Sequence, residues 1–289
     1  MHGVNSWAYH PYLPLTQQGK AMLPYVCRLA PGANAFAFEF FDQGFEGAHE
    51  IHLWRKGQST PVTVLPLVGF EGFVEGLDTL TDYAFSVHRV GVAGQSDTRY
   101  VRTGKVPGTV IQYLHPEDDQ YAFSGKSLCS PSIVRVPGGA LLASMDVFAS
   151  QYPQNLTLLY RSDDEGATWH YLTDLFPCFW GKLFVHKGAL YMLATSTEYG
   201  DLLIGRSDDE GKTWTAPVRI LPGSGKNSVG GPHKAPMPVI AYNGRLYTAI
   251  DYGTWNLGGH ASGLLSIGEE EDLLVGSHWV CTPFLPYDP

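Results

Sequence analysis

One eight-residue phrase occurs twice in this chain. Ser162–Trp169 reads SDDEGATW and Ser207–Trp214 reads SDDEGKTW, the two copies starting 45 residues apart. A near-copy at that interval constrains the fold more than composition does, because periods of roughly 20–50 residues mark units that stack on one another. The rest of a unit repeats around it. GALLASMD (139–146) recurs as GALYMLATS (188–196) and, more loosely, as GRLYTAIDY (244–252). Each follows an apolar run (SPSIVRV, KLFVH, APMPVIAY) and precedes another (LTLLYRS, DLLIGRS, SGLLSIG). The acidic phrase then introduces a fourth run, TWHYLTDL or TWTAPVRIL. Four antiparallel strands every 45–55 residues or so is the signature of propeller blades.

The phrase has its own mechanics. An Asp side chain, Asp164 or Asp209, can accept backbone N–H bonds inside a tight reversal, and Gly166 or Gly211 supplies the positive φ that the reversal needs. Ser162, Thr168, Ser207 and Thr213 complete the pattern. Trp169 and Trp214 are then expected to fold back between neighbouring sheets. The competing reading, a carboxylate or calcium cluster of Asp163, Asp164 and Glu165, is the weaker one. In these residues the chain resembles the Asp-box (BNR) repeats of sialidase-like β-propellers, which implies an all-β fold with six or seven blades, about three of them present. The third unit has lost the motif: SIGEEEDLLVGSHW keeps a serine and the tryptophan.

Upstream, NAFAFEFF, EIHLWRKG, TPVTVLPL, DYAFSVHRV and TRYVRTG alternate as short strands between Gly, Pro and Asp. Leu77 and Leu80 lead into Tyr83, after which Phe85 and Val87 alternate inward. This stretch resembles the corner and final strands of a fibronectin type III domain, with Trp54 expected as its core tryptophan. The division that follows is an N-terminal extension (1–24), a fibronectin-like β-sandwich (25–105), a linker with a first closing strand (106–125) and a partial propeller (126–289).

The chain carries a formal charge of −9, which argues against a nucleic-acid surface. No stretch is long and apolar enough for a membrane helix, and the first residues lack the order of a signal peptide. The protein is therefore expected to be secreted or periplasmic if a leader is missing, and otherwise cytoplasmic. Cys27, Cys129, Cys178 and Cys281 are widely spaced and form no CxxC pair, so buried thiols are expected, with one disulfide as the alternative. Neither a metal nor a cofactor is expected. Asn155-Leu156-Thr157 is a formal glycosylation sequon.

Antiparallel topology turns the acidic phrase into a compass. If it joins third and fourth strands, the starts of first strands and the ends of second strands lie on the opposite face, where the resemblance places catalysis. Asp146, closing a second strand, is the expected acid/base group. His233 is the expected base, and Tyr252 or Tyr199 the proton donor. Lys126, Lys182, Lys234 and Asp251 are expected to meet polar or acidic groups of a sugar, and Trp180, Tyr199 and Trp255 to stack on its faces.

The chain also departs from that family. Sialidases open their first blade with Arg-Ile-Pro, whereas Cys129 stands where this arginine falls when Pro131 and Ser132 are aligned to the motif. The other two arginines and the Tyr/Glu nucleophile pair belong to later blades, expected from the rest of a longer chain. The implied function is cleavage of a glycosidic bond at an acidic sugar, sialic or uronic, of a glycan. The alternatives are a polysaccharide lyase acting beside a glucuronate with His, Tyr and Lys, and a non-catalytic glycan-binding propeller.

Overall fold

The computed structural model describes residues 6–9 and 23–286. The chain is all-β: among the described residues its only helices are 3-10 turns at Trp255–Leu257 and Gly276–His278. No helix among them is long and apolar enough to cross a membrane.

The first unit is a sandwich. Strands β2 (Tyr25–Pro31), β3 (Phe36–Phe41) and β6 (Glu71–Val74) form one sheet in the order β2-β3-β6. Strands β4 (His49–Arg55), β5 (Thr63–Leu67), β7 (Asp82–Arg89) and β8 (Arg99–Arg102) form the other, ordered β5-β4-β7-β8. Alternate residues point inward, as period-2 strands require. Phe36, Phe38 and Phe40 of β3 meet Ile51, Leu53, Phe85, Val87 and Val101 in one core. The Asp78 N–H donates to Tyr83 Oη at 3.0 Å and fastens the loop before β7. Parity corrects the expectation for Trp54: Ile51 and Leu53 take the inward positions, which turns Trp54 to the outer face. Leu80 is likewise exposed, with φ +54.

Residues 106–125 form no strand. They are strapped down instead: Arg28 Nε donates to the Ile111 carbonyl at 2.9 Å, Gln112 Oε1 accepts from Leu29 N at 2.7 Å, and buried Asp118 pairs with buried Arg99 at 3.2 Å. A separate piece of chain lies at the outer edge of the next sheet. This is β1 (Ala8–Tyr9), which pairs antiparallel with the sheet's last strand.

Three antiparallel sheets follow. Sheet one runs β9 (Ser127–Arg135), β10 (Leu141–Phe148), β11 (Thr157–Ser162), β12 (His170–Leu175). Sheet two runs β13 (Phe179–His186), β14 (Ala189–Thr195), β15 (Leu202–Ser207), β16 (Val218–Leu221). In sheet three the outer strands are split: β17 (Gly231–His233) and β18 (Ile240–Tyr242) both pair with β19 (Arg245–Thr254), and β21 (Val280–Cys281) and β22 (Leu285–Pro286) both pair with β20 (Gly259–Gly268). Thus only part of the apolar run APMPVIAY is strand.

The sheets stack in chain order because each is apolar on both faces. Leu142 and Leu159 of sheet one pack on Leu183, Leu190 and Met192 of sheet two. Residues of the opposite parity in sheet two, Phe184, Leu193 and Ile204, pack on Leu246, Ile250 and Leu265 of sheet three. The other face of sheet one, with Ala143, Met145, Leu158 and Tyr160, packs on Cys27, Tyr25 and Phe41 of the sandwich. Glu39 reinforces that seam, accepting from Tyr171 N at 2.9 Å and pairing with His170 at 3.1 Å.

The twin acidic turns join third to fourth strands and share one set of aspartate hydrogen bonds. Asp164 Oδ1 accepts from Ser162 Oγ and Thr168 N, both at 2.8 Å, and Oδ2 from Thr168 Oγ1 at 2.6 Å. Asp209 does the same with Ser207, Thr213 N and Thr213 Oγ1 at 2.9, 2.8 and 2.6 Å. Gly166 and Gly211 hold φ +86 and +92. Each tryptophan's Nε1 donates to its own glycine carbonyl, at 3.1 Å for Trp169 and 2.9 Å for Trp214. Trp279 keeps that role in sheet three with Leu273 O as acceptor at 2.9 Å, although the rest of the motif is gone. The three rings staple each sheet to the unit before it: Trp169 to the sandwich, Trp214 to sheet one, Trp279 to sheet two.

Trp7 adds a seam bolt between sheets one and two. It is fully buried, its Nε1 donates to Pro177 O at 2.7 Å, and its ring meets Trp214 edge-on at 6.4 Å. Gly205 makes room for it, since a Cβ there would stand 2.5 Å from the Trp7 ring. All four cysteines are free thiols, two buried (Cys27, Cys178) and two half-buried (Cys129, Cys281).

Candidate functional site

The two faces of the stack differ in chemistry. On the acidic-turn face the charges answer one another: Glu165 pairs with Arg135 at 2.6 Å, and Arg161 pairs with Asp163 and Glu210, both at 2.8 Å. These paired, exposed carboxylates are tied into turn geometry. Among the described residues no group of three or more His, Cys, Asp or Glu is arranged to hold a metal.

The opposite face gathers five aromatic rings. His233, at the end of β17, lies 4.1 Å from Trp180, 5.9 Å from Tyr199, 5.7 Å from Trp255 and 4.2 Å from His260, centroid to centroid. Tyr199 and His260 stack at 5.9 Å with an 18° interplanar angle. Trp180 opens sheet two, Tyr199 sits in the β14–β15 loop, Trp255 starts the 3-10 turn after β19, and His260 lies at the start of β20. Trp255 is the outermost ring, 64% exposed, whereas Tyr199 is 1% exposed beneath the others. Burial holds the His233 imidazole down to about 4, His260 beside it adds to the fall, and Asp251 opposes it. His233 is therefore neutral at pH 7. His260 is also lowered by burial, against Asp251. Asp251 pairs in register with His233 and accepts from Ser262 Oγ at 2.7 Å.

Beside this platform opens a cleft of about 710 Å³, lined by Gln151–Asn155, Pro177, Ser196–Tyr199, Gly225 and Asn227. Its walls are the loops after β10 and β14 and the connection into sheet three. Among the described residues Glu198 is its one acidic lining residue. Burial raises the Glu198 carboxyl above the ordinary value, while the Tyr199 and Gln154 side chains beside it oppose the rise. Backbone in the left-handed region is concentrated here: Gln151 (φ +72), Gln154 (+52), Trp180 (+56) and Tyr199 (+59). Such non-glycine conformations cost roughly 1–3 kcal/mol each and persist where the surroundings impose them.

The expected site residues divide. Trp180, Tyr199, His233, Trp255 and Asp251 come together. Asp146 is on this face but has no exposed surface: Thr157 Oγ1 donates to it at 2.5 Å and Trp180 N at 2.8 Å. It holds the Trp180 backbone from behind rather than meeting solvent. Lys234 is 1% exposed, wedged between sheets two and three, its Nζ 3.3 Å from Thr248 Oγ1. Burial, with a smaller contribution from Lys182 nearby, lowers its ammonium to about 7. Lys126 is paired with Asp119 at 2.6 Å, and Tyr252 packs on Phe284 at 5.2 Å with its hydroxyl 3.4 Å from Pro222 O. Neither lines the cleft. Gln154, Asn227 and His260 were not anticipated; extending the face rule from the ends of second strands to the starts of third strands would have reached His260.

No family model and no curated protein matches the chain. Solved structures resemble it at low identity. An α-L-arabinofuranosidase from Lactobacillus brevis is 16% identical over 70% of this chain and 68% of its own, with a TM-score of 0.47. An endo-arabinase from Bacteroides thetaiotaomicron is 16% identical over 71% of this chain and 77% of its own, at 0.42. An exo-β-1,3-galactanase from Phanerochaete chrysosporium is 11% identical over 96% of this chain and 52% of its own, at 0.43. The chain spans about half the length of the Fusarium graminearum arabinofuranosidase it also resembles.

Proposed function

We propose that this chain is a glycan-processing protein of sialidase-like propeller type, its three sheets serving as successive blades and its sandwich as a fibronectin type III-like module. The strand order β2-β3-β6 against β5-β4-β7-β8 and the Tyr83 corner support the module. The set of aspartate hydrogen bonds that the twin turns share supports the Asp-box reading.

The functional reading is carried by one observation, a half-buried carboxyl in a cleft of amides and hydroxyls beside an aromatic floor. Sugar rings present C–H faces to aromatic rings and hydroxyls to amides. Glu198, held protonated to a higher pH than an ordinary glutamate, is the proton donor to the leaving glycosidic oxygen. Asp251 is the second carboxylate such a hydrolysis uses. The expected acidic sugar is less well served: among the described residues no arginine lines the cleft, and the buried Lys234 is only partly charged at neutral pH. A neutral glycan is the substrate class the cleft favours. His233, neutral at pH 7, supports a second reading as the base of an elimination.

Incubation with neutral, sialylated and uronate-bearing oligosaccharides separates these readings. Hydrolysis of a neutral glycan that Glu198→Gln abolishes while binding persists is the expected result. Products carrying the ultraviolet-absorbing double bond of an elimination, lost in His233→Ala, would favour the second reading. Turnover unaffected by Glu198→Gln refutes the first.

A further inference from the structure

The sandwich carries a second hollow, on the outward face of its four-stranded sheet. Trp54, Ala84 and Tyr100 lie in one cross-strand row, Trp54 paired with Ala84 and Ala84 with Tyr100. The row therefore has a large ring at each end and a methyl group in the middle. Lys56, Gly57, Gln58 and Thr98 complete a hollow of about 430 Å³. Residues two strands apart in a sheet stand about 9.5 Å from one another. One flat ring in van der Waals contact with an aromatic wall on either side needs about 7–8 Å. The row is wide enough for one ring between the walls and too narrow for two.

The fold gives Trp54 no internal role, because Leu53 and Phe85 already fill the core beneath it. Its indole is nonetheless supported from the side. The His52 ring lies 5.9 Å away and is itself fixed, stacked on His88 at 3.8 Å and bonded to Glu50 at 2.7 Å. Tyr100 is backed by His115 at 5.6 Å. Lys56 stands 5.8 Å over the Tyr100 ring, and Glu117 answers its charge. What remains open is a pair of supported aromatic walls, an apolar floor, and the hydroxyl of Thr98 and amide of Gln58 at the edge.

We propose that this hollow is an accessory saccharide-binding site that takes one uncharged sugar ring between Trp54 and Tyr100. The C–H faces of the sugar meet the two rings, and its equatorial hydroxyls reach Thr98 and Gln58. Among the described residues that line the hollow the one cation, Lys56, is already paired with Glu117, so the site has no free charge to select an anion. Ala84 sets the depth, since a longer side chain there would fill the trough without altering either wall. The site stands independently of the cleft on the stacked sheets.

The test is calorimetric titration of the full chain with neutral tetrasaccharides derived from arabinan, galactan, xylan and cellulose. It is run on the wild type, on Trp54→Ala, Tyr100→Ala and Ala84→Leu, and on Trp180→Ala as the cleft variant. The expected result is a binding component for at least one tetrasaccharide that survives Trp180→Ala. Each of the three sandwich variants should weaken it about tenfold or more. Ala84→Leu keeps the inference testable if removing a large ring disturbs the sheet, because both walls stay in place. The absence of binding by all four probes overturns the proposal, as does binding that only Trp180→Ala diminishes; neither result touches the hydrolysis assay that tests the cleft.

Discussion

Asp146 gives the sharpest test of the site, because its burial and its expected chemistry lead to opposite results. Burial raises its carboxyl from the ordinary 3.8 to about 7, against hydrogen bonds from Thr157 and the Trp180 N–H. At about 1.4 kcal/mol per pKa unit, this corresponds to about 4 kcal/mol of differential stability. The sign follows from proton counting. Between pH 3.8 and about 7 the folded chain holds a proton on Asp146 that the unfolded chain has released, so raising the pH through this window costs stability, and the loss levels off above it. Most of the window lies above pH 5, where about 3 kcal/mol is at stake by the same conversion. Asp146→Asn removes the titration without orphaning a partner. The asparagine oxygen can accept from Trp180 N–H, and Thr157 can accept from the new amide while donating to Cys178 O, already 3.1 Å away. Guanidinium unfolding of both proteins at pH 5 and pH 8 should show the variant gaining about 3 kcal/mol relative to wild type on going to the higher pH. Turnover should persist in the variant. Parallel pH profiles together with abolished turnover would refute the buried, positioning role and restore Asp146 as the acid/base group.

Three further outcomes follow from the packing and the cleft. Trp7→Ala should cost about 3–5 kcal/mol, the usual range for a fully buried large aromatic, read as a lowered denaturation midpoint; Gly205→Ala should destabilise the same seam, because its methyl meets the Trp7 ring at 2.5 Å. Asp209→Ala removes three hydrogen bonds from the second acidic turn and should lower stability by about 1–3 kcal/mol with glycan turnover unchanged, whereas lost turnover would place chemistry on that face. Hydrolysis should fall as pH rises through the elevated pKa of Glu198, and a pH–rate profile lacking that alkaline limb would remove Glu198 as proton donor.

The strand plan was legible because its signals are local. An aspartate that bonds its own turn, a glycine at positive φ and a tryptophan three residues later act within eight residues, so the phrase specifies the same hairpin twice. The face on which the aromatic rings gather was legible for a related reason: antiparallel order alone separates the two ends of every strand. Depth was not legible. Asp146, Tyr199 and Lys234 lie at the expected ends of strands, yet a neighbouring sheet closes over each, and that packing is decided by residues far along the chain. Trp54 shows a different failure. Parity with Ile51 and Leu53 already pointed it outward, whereas the fibronectin type III resemblance put it in the core. Trp7 was invisible because its main partners, Pro177 and Trp214, are at least 170 positions away.

The packing order also limits how the stack can grow. Each sheet offers two apolar faces, and the outer face of sheet one is already covered by the sandwich through Tyr25, Cys27 and Phe41. The outer face of sheet three is different: Ile240, Leu264 and Val280 are all exposed on it. They belong to one cross-strand surface, since Ile240 pairs with Tyr247, Tyr247 with Ser266, and Ser266 with Val280, while Leu264 pairs with Ala249. Apolar residues spread over a sheet face at this density are of the kind that sheets one and two bury. While the sandwich stays in place, any further sheet can join only at sheet three. A ring closed onto sheet one would have to displace the sandwich and break the Glu39 bonds to Tyr171 and His170. The aromatic platform straddles sheets two and three, one seam inward from the open face, so its rings are fixed by contacts already present.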